Sequence, residues 1–235
     1  MALPKIKHPI FETKIPSTGA KLLYRQMLVQ DEKILLTAKA SEEASDIFRA
    51  VKQVVNNCIL DDLDIDSLAT FDIEYLFIKF RAVSIGNVID VTYKDKGDDG
   101  EYKFHIDLDE VEVQFPENID KLIKINDDAG VLMKYPPASL FDSENSLMTG
   151  KDGYEYLAAS CIDTIFDGDD VYPAAESTIE ERVEYIQSLT AKTYADVKKF
   201  LNEMPRLQYH IEYENSLGVA RKLELNTLTD FFTFW

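Results

Sequence analysis

The sequence predicts an α+β fold: an N-terminal β-hairpin, a helical core, further β-hairpins, then a C-terminal helix pair with a hairpin and a short terminal helix. Three observations carry this. Ala44, Ile47, Phe48, Val51, Val54, Val55 and Cys58 fall at i, i+3, i+4, i+7, i+10, i+11 and i+14, one face of a helix. Residues 91–108 switch to alternation about the turn Asp98-Asp99-Gly100, as a hairpin does. Helical and hairpin signals arrive in separate blocks, which favours α+β over a parallel βαβ sheet.

The elements follow in order. Phe11, Thr13 and Ile15 alternate with polar positions, and Leu22, Tyr24 and Met27 lie on the returning strand. Between them, Pro16-Ser17-Thr18-Gly19 has turn chemistry, because proline fixes φ and glycine admits positive φ. A first helix spans about Gln30–Ala40. The second starts after Ser41 as N-cap, with Glu42 and Glu43 favoured by the helix dipole. The acidic stretch Asp61–Asp66 ends its pattern. A third helix, Thr70–Arg81, carries Ile73, Leu76, Phe77 and Phe80 on one face and is expected to pack on the second.

Val91 and Tyr93 lead into the Asp98 turn, and Tyr102, Phe104, Ile106 and Leu108 alternate on the way back. The signal from Pro116 to Tyr172 is weaker. Ile123–Ile125 and Val131–Tyr135 read as short strands, Tyr154–Cys161 as a short helix and Asp167–Asp170 as a turn. Thr178-Ile179-Glu180-Glu181 fits a capping box at the start of a helix. A further helix near Thr193 carries Val197, Phe200, Leu201 and Met204 and stops at Pro205. Leu207, Tyr209, Ile211 and Tyr213 alternate as a strand, Asn215–Gly218 turns, and Val219, Leu223 and Leu225 return. These signals divide the chain into an N-terminal α+β part, 1–115, a middle segment, 116–172, and a C-terminal helix–hairpin part, 173–235. One continuous domain is the alternative.

Composition narrows the function. The apolar share of 46% is ordinary for a globular chain and excludes disorder throughout. A formal charge of −18 repels phosphate backbones and anionic membrane faces, so neither nucleic acid nor membrane is an expected partner. No apolar run approaches a bilayer span, and the first residues lack the apolar core of a secretory signal. Two cysteines make no disulfide framework; a cytosolic protein is expected.

Sites for chemistry are missing. Asp62, Asp64 and Asp66 open like a calcium loop, but the sixth and twelfth positions hold Ser67 and Ile73 instead of glycine and glutamate. His8, His105 and His210 have no partner at ligand spacing, and two cysteines fit no zinc motif. Cys58 and Cys161 sit in apolar stretches, where cysteine acts as a small hydrophobe. Nucleophile elbows and phosphate loops are absent. No catalytic, cofactor-binding or metal-binding residue is assigned, no cofactor is expected, and the chain reads as a binding or structural protein rather than an enzyme.

Several blocks resemble a known family. They are Leu3–Pro9, Ile15–Thr18, Leu28–Leu36, Lys52–Cys58, Thr70–Phe77, Met204–Leu207 and Asp230-Phe231-Phe232. In order and spacing they resemble the T-even-type phage baseplate hub family, described as a baseplate hub subunit or hub-assembly protein. Two departures stand out. Some similar sequences carry Cys-x-x-Cys where this chain has Asn215-Ser216-Leu217-Gly218, so no metal clip is possible here; Arg25-Gln26-Met27 also differs from the expected Arg-Pro-aromatic pattern.

The resemblance implies a non-enzymatic structural subunit of a phage tail baseplate hub, acting in tail assembly. The alternative is an assembly chaperone that binds hub or tape-measure proteins and is absent from the mature virion. Implied partners are other hub proteins and the tape-measure protein. Implied locations are the host cytoplasm during assembly and the virion tail baseplate on retention. The expected partner-binding residues are at the C-terminus. Leu228, Phe231, Phe232 and Trp235 share one face of a short helix, and Phe234 adds a fifth large apolar group. So short a helix must dock, either on this protein's own core or in a neighbour's groove.

Overall fold

A computed structural model describes residues 6–40, 43–141 and 153–232. They form two compact units, Met1–Gln114 with Arg206–Trp235, and Phe115–Pro205.

The first unit opens with the expected hairpin, β1 (Ile10–Lys14) against β2 (Lys21–Arg25), in the register Phe11–Tyr24 and Thr13–Leu22. Its turn closes where Gly19 takes φ +70°, a conformation that favours glycine. Three helices follow: α1 (Val29–Lys39), α2 (Ala44–Cys58) and α3 (Thr70–Ile85). On α2 the apolar stripe is inward, with Phe48, Val51, Val54, Val55 and Cys58 buried. Ser41 and Glu42 lie outside the described residues. The N-cap position is Glu43, whose side chain makes no capping bond. α3 runs one turn past Arg81 to Ile85 and stops at Gly86, φ +144°. Phe71, Ile73, Leu76, Phe77, Ile78 and Phe80 are all buried, so this helix is covered on every side.

The chain continues as β3 (Val88–Lys94), β4 (Glu101–Asp107) and the three-residue β5 (Glu112–Gln114). It then builds the second unit from β6 (Leu122–Lys124), β7 (Ala129–Met133), α4 (Gly153–Ser160), β8 (Ile162–Asp167), β9 (Asp170–Pro173), α5 (Ile179–Ser188) and α6 (Ala191–Asn202). The strands form one antiparallel sheet in the order β6-β7-β8-β9. Ile123, Val131 and Met133 share a core with Ala158 of α4, Ile186 of α5 and Phe200 of α6. The predicted capping box is present: the Thr178 hydroxyl accepts from the Glu181 N–H at 3.2 Å, and the Glu181 carboxylate accepts from the Thr178 N–H at 2.8 Å.

Past Pro205 the chain returns to the first unit as β10 (Arg206–Glu214), β11 (Ala220–Leu225) and α7 (Leu228–Phe232). β10 pairs with β11 on one side and with β5 on the other. The helix pair that sequence grouped with this last hairpin thus packs with the middle segment instead, because its apolar stripes complete the second core.

Phe77 is 1% and Phe48 7% exposed, on two helices that pack together. Phe77→Ala and Phe48→Ala are each expected to cost about 3–5 kcal/mol in urea melts. Values below about 1 kcal/mol for both would show that the stripes face outward.

Candidate partner-docking surface

The terminal segment is held by its own aspartate. The Asp230 carboxylate accepts from the N–H of Asn226 and of Thr227 and from the Thr227 hydroxyl, each at 2.9 Å. This closes the first turn of α7 and sets its apolar face. Leu228 and Phe231 are then 6% and 1% exposed. These two expected partner-binding residues are core residues of the first unit: burying each is worth roughly 1.5–3 kcal/mol, a gain lost on leaving the core. The Phe232 side chain, Phe234 and Trp235 lie outside the described residues.

α3 contributes the other half of the anchor. The Leu228 N–H donates to the carboxylate of Glu74. Burial pushes that carboxyl up to about 7, and repulsion from Asp230 adds to the rise, while the Leu228 N–H opposes it. Sequence reading missed both acids. Thr227-x-x-Asp230 is a capping-box spacing and was legible. Glu74, inside the apolar run of α3, carried no signal.

The remaining candidates are structural. Asp64 accepts from the Asp66 N–H in a 3-10 turn, and Asp66 pairs with Lys52 at 2.8 Å. Among the described residues, no group of three or more His, Cys, Asp or Glu is arranged to hold a metal ion. His105 meets Asp90, and His210 faces Glu224, across neighbouring strands. Both cysteines are fully buried, and desolvation pushes each thiol up to about 12. Cys58 does have a cation nearby, Arg25 Nη1 at 3.6 Å, but that guanidinium is engaged by Asp31 at 2.8 Å, and burial outweighs it. No helix among the described residues is long and apolar enough to cross a membrane.

Residues 8–233 match the family model described as T4 bacteriophage base plate protein. The match spans nearly the whole chain, and the chain belongs to this family of phage baseplate proteins. No curated protein and no solved structure matches it. Membership supports a structural role in the tail baseplate of the virion, among other baseplate proteins.

Glu74 makes the docking of α7 depend on pH. An ordinary glutamate titrates near 4.5, so between that value and about 7 the folded chain keeps a proton that the unfolded chain has lost. This contribution is complete below the lower value and is lost as pH rises through the upper one. Glu74→Gln keeps an acceptor for Leu228 and removes the charge. At pH about 8 it is expected to stabilise the protein by on the order of 2 kcal/mol, and near pH 4.5 to change nothing. Thermal melts of both proteins across this range check it; parallel curves would assign the pH dependence to another group.

Proposed function

We propose that this protein is a non-enzymatic structural subunit of the baseplate hub that assembles in the host cytoplasm and is retained in the virion. The observation that carries the reading is the family match over residues 8–233. The hub assignment draws on the residue blocks that resemble hub proteins, three of which supply buried groups of the first unit. Leu28–Leu36 supplies the buried Asp31, whose carboxylate takes Arg25 of the hairpin and, from Lys52–Cys58, Asn57 and Cys58. Thr70–Phe77 supplies Asp72, whose carboxylate accepts from Ala69 and Ser17. The blocks thus specify a rigid scaffold on which contacts to hub proteins are mounted. In this reading Phe232, Phe234 and Trp235 extend from the anchored Leu228 and Phe231 to a neighbouring subunit, since aromatic anchors dominate such interfaces.

One observation favours a second reading. A charge of −18 beside exposed apolar residues suits an assembly chaperone that keeps a hub or tape-measure client soluble and then leaves.

Mass spectrometry of purified virions separates the two. The subunit is expected at a copy number comparable to other hub proteins; its absence from virions that assemble normally would establish the chaperone reading. Deleting Phe234 and Trp235 tests the tail. The truncated protein is expected to keep its melting temperature and to fail to enter baseplates. A truncated protein that aggregates alone would assign these residues to the core.

A further inference from the structure

The sheet of the second unit has two unlike faces. Ile123, Val131 and Ile165 stand in register on one, and this face supplies the core shared with the helices. The other face holds Leu122 opposite Leu132, and Gly130 opposite Phe166, which in turn pairs with Val171. An antiparallel sheet with one face toward solvent ordinarily places polar residues there. Here Leu122 is 40% and Val171 56% exposed, and Leu132 and Phe166 are half-buried. Leu122, Leu132 and Phe166 line a hollow of about 350 Å³ together with Lys124 and the 126–130 turn. Gly130 forms its floor: a Cβ there would stand 3.0 Å from the Ile123 carbonyl oxygen.

Charge is arranged at one end of this face. The β6–β7 and β8–β9 turns abut, with the Gly168 N–H donating to the Asp128 carbonyl at 2.9 Å. Together they carry Asp127, Asp128, Asp167, Asp169 and Asp170, all exposed. No described residue forms an ion pair with any of the five. Asn126, not a cation, holds the first turn, its amide oxygen accepting from the Asp128 and Ala129 N–H groups at 2.8 Å. A second copy of this chain docked face to face would bring two such acidic ends together, a like-charge arrangement that interfaces reject.

We propose that the Leu122–Leu132–Phe166–Val171 face is a docking surface for another baseplate protein, which inserts an apolar side chain over Gly130 and sets lysine or arginine against the Asp127–Asp170 rim. The apolar hollow supplies the anchor site, and the uncompensated carboxylates select the sign of the partner. The inference rests on membership of the baseplate family and not on retention in the virion, because the contact is required in assembly under either reading.

The test places a photo-cross-linking phenylalanine analogue at Thr164, which stands beside Leu132 on this face, in the full-length chain produced during phage infection. A control chain carries it at Glu184, on α5. Cross-linked peptides are identified after irradiation of infected cells. The expected product is a peptide of another baseplate protein with net positive charge, and Asp127→Lys with Asp170→Lys reduces its yield at least tenfold while the melting temperature stays unchanged. Cross-linking only to a second copy, only to neutral or acidic peptides, or no more than at the control position would overturn the proposal. So would an unchanged yield in the charge-reversed chain. A tenfold loss of yield accompanied by unfolding is resolved by Asp127→Asn with Asp170→Asn, which removes the charge without reversing it and must still lower the yield for the proposal to stand.

Discussion

The first unit is assembled by covering α3, a helix too apolar to show water any face. The β1–β2 hairpin stacks Tyr24 on Phe80, with ring centroids 4.1 Å apart. The Met27 N–H donates to the Ser84 hydroxyl at 2.8 Å, and α2 lays its stripe alongside. Lys79 donates to the carbonyls of Leu108 and Asp109, which seats the segment after β4. Glu74 takes the N–H of Leu228 and so seats the terminal helix. Apolar burial supplies the drive at roughly 25 cal/mol per Å². It does not set geometry; polar groups around the helix do that.

Two of those polar groups are carboxylates with no solvent exposure, Asp31 and Asp72. An unpartnered buried charge is costly, so each fixes the groups that compensate it. Burial works to raise the carboxyl of Asp31, but Arg25, the Leu28 N–H and Asn57 outweigh it and hold it below the usual range. Asp72 accepts from the Ser17 side chain and from the N–H groups of Ser17 and Ala69, and burial still leaves it raised. Asp31 thus ties β2, α1 and α2 together, and Asp72 ties the hairpin turn to the start of α3. The last hairpin uses the same device. Asp98 accepts from the Ser216 N–H at 2.9 Å, the Ser216 hydroxyl at 2.6 Å and the Tyr102 hydroxyl at 2.5 Å. A carboxylate from the β3–β4 turn thus pins the 215–218 turn of the last hairpin.

Local periodicity explains which elements were legible. α2 and α5 have one apolar stripe each, and α5 and α6 have threonine caps, signals contained within a few residues. In the second unit β6 and β7 were legible with shifted bounds, as Ile123–Ile125 and Val131–Tyr135, while β8 and β9 gave no strand signal, for a physical reason. Leu122, Leu132 and Phe166 make its outer face apolar, which erases the alternation that marks a strand, and β6 and β9 are only three and four residues long. The stripe of the terminal helix was visible, but whose core it would enter was not. That depends on Glu74 and the groove beside it, which exist only once α3 is packed.

The pairing of β5 with β10 was beyond any local signal, and it shapes the whole chain. Gln114 pairs with Arg206, so the second unit is inserted between two adjacent antiparallel strands of the first. Closing a flexible loop of about ninety residues costs on the order of 4 kcal/mol. Three residue pairs between β5 and β10 return little against that cost. The second unit has a core of its own, and its packing shortens the flexible stretch that the β5–β10 pairing must close. Stability of the β5–β10–β11 sheet, and through it the seat of the terminal helix, therefore depends on a core made of residues that touch none of them in sequence.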